Sequence, residues 1–417
     1  MLNRVNLNYV FPNKAKSIAK VTENFIKKDS EIVKIFKNAT ILPVYDFHDM
    51  HGNGGVIDSE GNYVEMSSQK NRVSGSYEYN KSDCKFENKK VVYCGFFYRC
   101  WGHFITEVVS KLWYALKRDN SIDQYIFITE KGSNAKFNGN YLEFLRLLGI
   151  EDKVVIINQP TVYAEVVIPE DGFVYDEYFT NSYLDMYQYI IKKGLKEFKG
   201  KTYEKLYFSK NKIISSIESN LNLKFIDKYF ETNGFKVIYP EQLTLVETIG
   251  LMQNAKYFCG MSSSLAHNQI FGHANQTMIS IEKQAFYTPY QIFVTNITGC
   301  NVVYIDAFRH IFPVNSGGPF LYDYTDYLDE FAKDFGLSRS KPMSRHKYRR
   351  MFRKYMIFYF DLNNVLPPDW MYRQYIIDMS RDAYNDTIRN GKIFHMSLYN
   401  RAKMKLRKIF FNLFGTY

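Results

Sequence analysis

FKVIYPEQLTLVETIGLMQNAKYFCGMSSSLAHNQIF, residues 235–271, contains two apolar runs separated by a helical pattern and followed by a small polar turn. FKVIYP and KYFC are typical of buried strands, and the residues between them repeat apolar side chains with the period of an α-helix. A strand, a helix and a second strand in this order form the unit from which parallel sheets are built. The stretch therefore predicts an α/β fold.

The same alternation continues on both sides of this stretch. TMISIE at 277–282 predicts the next strand, and KLYFSK at 205–210 and IDKYFETNG at 226–234 predict an earlier strand and helix. Before residue 200, strands are predicted at 91–94, 124–129, 154–157 and 164–169, and helices at 103–117, 141–149 and 183–198. Because a polar break at 199–202 separates the two series, we expect two α/β domains with mainly parallel sheets, over residues 1–200 and 201–340.

A glycine-rich segment interrupts the first series. GNGGVIDSEGNYVEMS at 52–67 places short alternating strands between Gly-rich turns, which is typical of a hairpin. We expect a small hairpin insertion in the first domain.

Composition indicates a globular protein of a reducing compartment. The chain has 417 residues, of which 46% are hydrophobic and 23% charged, so it is long enough for two substantial cores and too apolar to be disordered. Its five cysteines show no C-x-x-C pairing, which argues against a disulfide framework or a zinc site. The first twenty residues lack the apolar core of a signal peptide, and no run approaches the ~18–20 apolar residues of a membrane span. We therefore expect a cytoplasmic protein.

All the excess positive charge lies in the last fifth of the chain. Residues 341–417 contain 16 Lys and Arg and five Asp, and this difference accounts for the whole formal net charge of +11. The stretches at 344–360 and 399–417 interleave these cations with Phe, Tyr, Met and Leu, as basic amphipathic helices on anionic membranes do. We expect a basic helical extension that binds the inner face of the plasma membrane.

Two other interpretations of this extension stay open. Clustered cations also bind nucleic acid, although the apolar IFFNLF at 409–414 favours a membrane and residues 1–340 have no basic excess. Alternatively, residues 365–395 pack across the two domains, and the cations are only solvated.

The polar turn after KYFC has the composition of an anion site. Cys259 and Gly260 end a strand, where Gly260 allows the backbone to turn. The hydroxyl side chains that follow suit the cap of a helix: Ser262, Ser263 and Ser264. Ligands of open parallel sheets bind beyond the carboxyl ends of the strands, where helix N-termini offer N–H groups to a phosphate or carboxylate. The simpler alternative is that the serines only cap the helix and the nearby histidine packs inside the core.

Two segments together resemble glycosyltransferase family 61. WGHFITEVVSKLWYAL at 101–116 is similar to the W-G-H-F-like helix of that family, and residues 239–271 have its Pro-Glu helix start, Asn-Ala strand entry, Gly/Ser turn and His-Asn pair in the same order. Similar segments flank them: GGVIDSEGNYVEMS at 54–67, ISIEK at 279–283, VVYID at 302–306 and GGPFL at 317–321. The resemblance extends over residues of roughly 40 to 330 and depends on the ordered set, because H-F-x-x-E alone is common.

The resemblance implies a GT-B-like fold, in which two Rossmann-like domains face each other across a cleft. Members of the family transfer a sugar from a nucleotide-sugar donor with inversion, generally without a metal ion. The C-terminal domain holds the nucleotide diphosphate, and the N-terminal domain presents the acceptor. The sequence offers no convincing D-x-D metal motif, since DFHD at 46–49 and DYTD at 323–326 are expected to be solvated turns or caps. We therefore expect no metal, and no cofactor other than a donor that we take as UDP-linked.

The reaction requires a base, and the resemblance points to His103. The base takes a proton from the acceptor hydroxyl as that hydroxyl attacks the anomeric carbon, and a neutral imidazole near pH 7 can accept it. His103 and Glu107 are four residues apart and so lie on one face of a helix, where Glu107 either orients the imidazole or binds acceptor hydroxyls. The alternatives are a helix-start histidine bonded to the backbone and a surface glutamate.

The residues expected to bind the donor follow the strands of the second domain. Lys210 stands where many relatives carry Arg in an S-R pair, and it keeps the charge for the diphosphate without the bidentate fork. His267 and Asn268 are expected to donate hydrogen bonds to phosphate or nucleobase, and His267 is also a rival for the role of base. Glu282 ends the TMISIE strand and is expected to bind ribose hydroxyls. Gly260 and the three serines complete the expected donor site.

These observations predict an inverting, metal-independent glycosyltransferase that helps to build a surface polysaccharide such as capsule or O-antigen. A lipid-linked acceptor explains why such an enzyme associates peripherally with the inner face of the membrane. Three alternatives stay open: a GT-B-like transferase that uses a CMP-activated acidic sugar, a non-catalytic sugar-binding scaffold of a synthesis complex, and a nucleic-acid-binding protein, against which the balanced charge of residues 1–340 argues. The sequence does not identify the sugar, the receiving hydroxyl or which of the two histidines is the base.

Overall fold

Two six-stranded sheets organise the computed structural model of the chain, which describes residues 4–24, 26–48, 51–213, 219–285, 289–309, 311 and 318–362, together with positions 398, 402, 405 and 406. The strands are β1 (Val5–Tyr9), β2 (Ile26–Lys28), β3 (Val33–His48), β4 (His51–Ile57), β5 (Lys85–Phe96), β6 (Gln124–Ile128), β7 (Val154–Ile157), β8 (Thr161–Pro169), β9 (Phe173–Val174), β10 (Tyr178–Thr180), β11 (Lys205–Phe208), β12 (Asn220–Leu221), β13 (Lys236–Ile238), β14 (Tyr257–Met261), β15 (Thr277–Glu282), β16 (Asn301–Asp306) and β17 (Phe320–Leu321). The α-helices are α1 (Pro12–Asn24), α2 (Trp101–His103), α3 (Gly139–Leu148), α4 (Asn181–Glu197), α5 (Leu223–Thr232), α6 (Leu245–Asn254), α7 (Pro289–Thr298), α8 (Asp326–Asp334) and α9 (Arg345–Leu362).

The N-terminal sheet has the strand order β4-β3-β8-β5-β6-β7. β5 pairs in parallel with β6 and β8, and β6 with β7, whereas β3 is antiparallel to both β8 and β4. Val91 and Val92 enter different clusters of buried side chains, as the two-residue period of a strand requires. In the region of the predicted hairpin, β4 extends this sheet, and Ile57 bridges to Tyr63 across the following turn.

The C-terminal sheet is parallel throughout, in the order β1-β16-β15-β14-β11-β13. Helices α5, α6 and α7 connect its strands, because parallel neighbours need a long crossover. The predicted α/β class with Rossmann-like parallel sheets is therefore confirmed. β1 pairs with β16, so the first strand lies in the C-terminal sheet, although the predicted boundary assigns residues 1–200 to the first domain.

One packed layer of helices joins the two sheets. Val92 of the N-terminal sheet, Ile190 of α4, Ile249 of α6 and Phe258 of the C-terminal sheet belong to one continuous hydrophobic core. α4 and α6 approach closely at Gly194, where a Cβ atom would lie 2.7 Å from Cδ1 of Ile249. This shared core fixes the contact between the sheets, and the division into two facing GT-B domains stays a prediction.

The two acidic segments DFHD and DYTD have different surroundings. Asp46 of the first is exposed beside His48. Asp326 of the second starts α8, as expected near a cap, whereas Asp323 is buried and forms an ion pair with Arg309. Within the described ranges, no group of three His, Cys, Asp or Glu side chains is arranged to hold a metal ion.

The basic extension begins with α9, whose apolar face is already covered. Tyr348, Phe352 and Tyr355 are buried in a cluster with Leu221 and Leu321. Cations occupy the opposite, exposed face: Arg349, Arg350, Arg353 and Lys354. This packing corrects the expectation that the apolar side of residues 344–360 faces a membrane, because that side packs on the protein and the exposed face is cationic.

The second basic stretch, 399–417, lies outside the described residues except for positions 402, 405 and 406. Of the helices that are described, none combines the length and the apolar character needed to cross a bilayer.

Candidate active site

The carboxyl ends of the C-terminal sheet form one wall of a crevice. β11, β14 and β15 are neighbours that end at Phe208, Met261 and Glu282, so the segments that follow them lie side by side. The other wall is the segment at 97–108, which follows β5 of the N-terminal sheet.

Gly102 is the point where the two sequence motifs touch. A Cβ atom on Gly102 would lie 2.7 Å from Nδ1 of His267 and 2.8 Å from Oγ of Ser264. Beside this contact, Nε1 of Trp101 donates a hydrogen bond to Oδ1 of Asn268 at 2.9 Å. The structure thus brings together the two predicted site segments, which come from different halves of the chain.

His103 and Glu107 form a hydrogen-bonded pair. Nδ1 of His103 lies 2.9 Å from Oε2 of Glu107, one helical turn away, as their spacing predicts. The chain changes between them from the short helix α2 to a π-helix at Phe104–Val108, a form that is frequent at functional sites. The imidazole side chain is 23% exposed and the carboxylate side chain 6%, so the pair is accessible mainly through the imidazole.

Arg72 and Tyr290 complete the surroundings of Glu107, and nothing in the sequence pattern points to either. Nη2 of Arg72 lies 3.3 Å from Oε2 of Glu107, and the hydroxyl of Tyr290 donates to Oε1 at 2.6 Å. Arg72 lies in the loop between β4 and β5, and Tyr290 in the first turn of α7. Because these segments meet only in the folded chain, motif spacing does not disclose them.

Glu107 is ionised in these surroundings. Burial raises the pKa of Glu107, but the hydrogen bond from His103, the charge of Arg72 and the hydrogen bond from Tyr290 outweigh it, so the pKa lies below its ordinary value. An ionised carboxylate accepts a hydrogen bond from Nδ1–H of a neutral imidazole, which makes Nε2 the proton-accepting nitrogen.

The polar turn differs from its prediction in two respects. Gly260 lies inside β14 rather than in the turn, and a Cβ atom on it would lie 3.2 Å from Cζ of Phe258, a tight contact. The helix after the turn is a short 3-10 helix, Ala266–Phe271, and Leu265 precedes it without a side-chain cap. The expected α-helix start is therefore wrong, and this short helix lacks the long aligned dipole that would attract an anion. Donor binding by the turn stays a prediction.

The three serines lie in the turn at 262–265, before this helix, and do not cap it. The hydroxyl of Ser263 donates to the backbone oxygen of Met261 at 3.1 Å. Oγ of Ser264 lies 3.9 Å from Sγ of Cys100, on the opposite wall. The predicted capping is wrong because the chain makes a turn first, but Ser264 faces the crevice.

His267 is buried in the crevice wall. It is 5% exposed, and its ring lies against the backbone of Gly102. Burial, together with the neighbouring His103, lowers the pKa of His267 to about 3. His267 is therefore neutral and a weak base at neutral pH, which favours His103 as the base.

Two lysines lie beyond the strand ends on either side of β14. Lys210 follows β11, and Lys283 follows β15. Burial lowers the pKa of Lys210 to about 7, with a contribution from the charge of Lys283, and burial lowers the pKa of Lys283 to about 8. Nζ of Lys283 lies 4.3 Å from the centroid of the Phe320 ring, a cation–π contact. Lys283 was not among the expected donor residues, although it directly follows one of them.

Glu282 and Asn268 are already engaged by the protein. Glu282 is 2% exposed, accepts a hydrogen bond from Ser280 and places its other oxygen 3.0 Å from Nζ of Lys14. The side-chain nitrogen of Asn268 donates to the backbone oxygen of Leu265 at 2.8 Å, while its oxygen accepts from the indole described above. Both side chains keep hydrogen-bonding capacity beyond these bonds, but each residue is only 2% exposed, so a ribose or a nucleobase would reach them only if their neighbours moved. Their ligand roles stay predictions.

A cavity of about 590 Å³ opens beside the Trp101–Asn268 hydrogen bond. It lies between the start of α3 and the 3-10 helix Pro240–Gln242. Its lining combines aromatic, apolar and polar side chains: Trp101, Tyr141, Ile213, Pro240, Thr244 and Leu265. A space of this size and character suits a small ligand such as a nucleoside.

Comparison with known proteins identifies a region that contains most of both walls. Residues 101–279 match the family model Glycosyltransferase 61. The matched region includes the His103–Glu107 pair, Lys210 and the turn with Ser264 and His267. No curated protein matches the chain. Residues 101–279 therefore form a glycosyltransferase family 61 domain, and the chain is a glycosyltransferase.

Proposed function

We propose that this glycosyltransferase moves a sugar, with inversion, from a nucleotide-sugar donor to a hydroxyl group of a growing surface glycan. The observation that supports the proposal is the contact at Gly102, where the segment of the His103–Glu107 pair lies against the Ser264–His267 turn. An acceptor on the first wall and a donor on the second meet between them.

On the acceptor side, Nε2 of His103 takes the proton of the attacking hydroxyl. Glu107 holds Nδ1 at 2.9 Å, so the ring presents its other nitrogen as the acceptor. The hydroxyl oxygen forms a bond to the anomeric carbon while the bond from that carbon to the phosphate oxygen of the donor breaks. A single displacement of this kind inverts the configuration and needs no nucleophile from the protein.

On the donor side, positive charge stabilises the departing diphosphate, because negative charge develops there in the transition state. Lys210 and Lys283 bring two ammonium groups to the strand ends on either side of β14. Burial lowers the pKa of both lysines, and a bound diphosphate favours their charged forms. This arrangement supports a diphosphate donor whose departure does not depend on a metal ion.

The nucleoside of the donor is proposed to occupy the cavity beside Trp101 and Tyr141. Their rings and the apolar side chains around them offer the surface on which a base packs. We propose a UDP-linked donor, so uridine is the nucleoside expected there.

The acceptor is proposed to be lipid-linked and to lie at the inner face of the plasma membrane. Arg349, Arg350 and Lys354 on the exposed face of α9 support this, because cations near a membrane attract anionic headgroups.

The test uses the full chain, a panel of nucleotide sugars and lipid-linked glycan acceptors, with the anomeric configuration of the product determined by NMR. We expect an inverted product, activity that persists in EDTA, and a loss of at least about 10²-fold in His103→Ala, which still binds nucleotide in calorimetry. Retention of configuration would contradict the single displacement, and full activity of a folded His103→Ala would contradict the base. Loss of activity in EDTA that Mg²⁺ restores would contradict metal independence.

A further inference from the structure

Arg72 is a buried cation that reaches the His103–Glu107 pair from a separate segment. It is 6% exposed and lies in the loop between β4 and β5. Backbone hydrogen bonds fix this loop: the N–H of Arg72 donates to the oxygen of Gln69, and its carbonyl accepts from the N–H of Gly52, both at 2.9 Å. The guanidinium group therefore reaches the crevice from a fixed backbone.

The guanidinium group contacts both members of the pair. Nη2 of Arg72 lies 3.0 Å from Nδ1 and 3.3 Å from Nε2 of His103, and 3.3 Å from Oε2 of Glu107. Because the two ring nitrogens are almost equally distant, Nη2 is not in line with the lone pair of either one. The guanidinium carbon also lies 5.3 Å from the centroid of the Tyr98 ring, which adds a cation–π contact.

We propose that Arg72 is a positioning residue for the proton transfer: its charge balances that of Glu107, and its contact with the ring holds the imidazole with Nε2 available to the acceptor hydroxyl. This inference rests on the proposed function, in which His103 is the base.

The charges around the imidazole show what the cation contributes. The titratable or charged groups that face it are Arg72, Glu107, Tyr98, Tyr290 and His267. Burial raises the pKa of both tyrosines and lowers that of the second histidine, so these three are uncharged at neutral pH. The remaining two charges cancel. Without the guanidinium, an unbalanced carboxylate would favour protonation of the His103–Glu107 pair.

Substitution of Arg72 separates a positioning role from a structural one. Arg72→Gln and Arg72→Met remove the charge, whereas Arg72→Lys keeps the charge and loses the planar fork. In the neutral variants we expect the acid limb of the kcat–pH profile to move up by about one pH unit or more, with kcat lower by about 10²-fold and nucleotide affinity unchanged. Arg72→Lys is expected to keep the wild-type acid limb with kcat lowered about tenfold.

Arg118→Met is the matched control, because that guanidinium also lies over a tyrosine ring, 5.0 Å from the centroid of Tyr189, and does not contact the pair. A neutral variant that loses activity with an unmoved acid limb, or that changes only the KM of the acceptor, overturns the proposal in favour of a structural or ligand-binding role. If both neutral variants fail to fold, the test rests on Arg72→Lys. A kcat equal to that of the wild type in this variant overturns the proposed positioning role. Activity that survives in His103→Ala would instead overturn the proposed function, so the two failures are distinguishable.

Discussion

Trp101 donates its indole N–H to the side-chain oxygen of Asn268 at 2.9 Å, across 167 positions of the chain. The bond joins the segment after β5 to the turn region after β14, so the two family motifs are neighbours in space. The width of the crevice between them depends on how closely these segments approach, and at Gly102 there is no room for a Cβ atom.

Gly102→Ala is expected to impair transfer more than folding. The added Cβ would lie 2.7 Å from Nδ1 of His267 and 2.8 Å from Oγ of Ser264, so one wall of the crevice must move. A displacement of about 1 Å near reacting groups costs about 10²-fold in rate, and we expect kcat/KM to fall by that order. Gly200→Ala is the control, because the atoms nearest to its Cβ would belong to the side chain of Phe198 in an exposed segment. Wild-type kcat/KM in a folded Gly102→Ala variant would show that the contact at Gly102 does not determine the width of the crevice.

Nucleotide affinity is expected to decrease as the pH rises above neutrality. The pKa of Lys210 is about 7 and that of Lys283 about 8, both lowered chiefly by burial. Each ammonium group is charged below its pKa and loses the charge as the pH rises through it, whereas a bound diphosphate favours the charged form. We therefore expect the Kd of UDP to rise between about pH 7 and pH 9 and binding near pH 8 to take up protons. Calorimetry in buffers of different ionisation enthalpy measures both effects.

Variants of the two lysines test whether these side chains cause the pH dependence of UDP affinity. Lys210→Met and Lys283→Met are each expected to weaken UDP binding about tenfold and to reduce the proton uptake. Lys205→Met, at the opposite end of β11, is the control and is expected to bind like the wild type. An affinity that stays constant over this pH range would exclude the lysines from the donor site.

Much of the fold follows from local sequence, because buried strands are short apolar runs. The predicted strands at 154–157 and 277–282 have those bounds in the structure. The helix predicted directly after KYFC begins later and is a 3-10 helix, since serines favour turns through local hydrogen bonds such as that from Ser263 to Met261.

The candidate site is predictable from sequence only where its members lie close together in the chain. His103 and Glu107 are one turn apart, so helical spacing pairs them. Arg72 and Tyr290 contact the same carboxylate from 35 and 183 positions away. Lys14 of α1 forms an ion pair with Glu282, whose carboxylate was predicted from the sequence to bind ribose. The periodicity of a single helix or strand does not predict such contacts, because they arise from the packing of the two sheets.

Alkylation of Cys100 is expected to inactivate the enzyme. Its Sγ lies 3.9 Å from Oγ of Ser264, where a bulky adduct would obstruct the crevice. Three cysteines are buried, and burial raises the pKa of each thiol, so they react slowly with iodoacetamide: Cys94, Cys259 and Cys300. Cys84 is partly exposed and is therefore replaced by serine in the test protein. We expect the transfer activity to fall in proportion to the incorporation of one label per chain, measured by mass spectrometry. Bound UDP is expected to slow both the labelling and the loss of activity. Equal inactivation after the further change Cys100→Ser would assign the effect to another residue.

Binding to anionic membranes is expected to be electrostatic and to occur without insertion of α9. The apolar face of this helix packs on the protein through Tyr348 and Phe352, whereas Arg350 and Lys354 lie exposed one turn apart. Each cation near an anionic surface contributes about 1 kcal/mol, so Arg350→Gln with Lys354→Gln is expected to weaken liposome binding by roughly 30-fold.

The salt dependence of that binding tests the same point. Screening shortens the reach of these charges from about 10 Å at 0.1 M salt to about 3 Å at 1 M, so we expect anionic liposomes to release the chain as salt is raised. Lys192→Gln with Lys196→Gln is the matched control, because these lysines are also exposed one turn apart, on α4. Binding that persists at 1 M salt and is unaffected by the α9 substitutions would show that another part of the chain anchors it. In that case the exposed cations of α9 would not be the surface that binds the membrane.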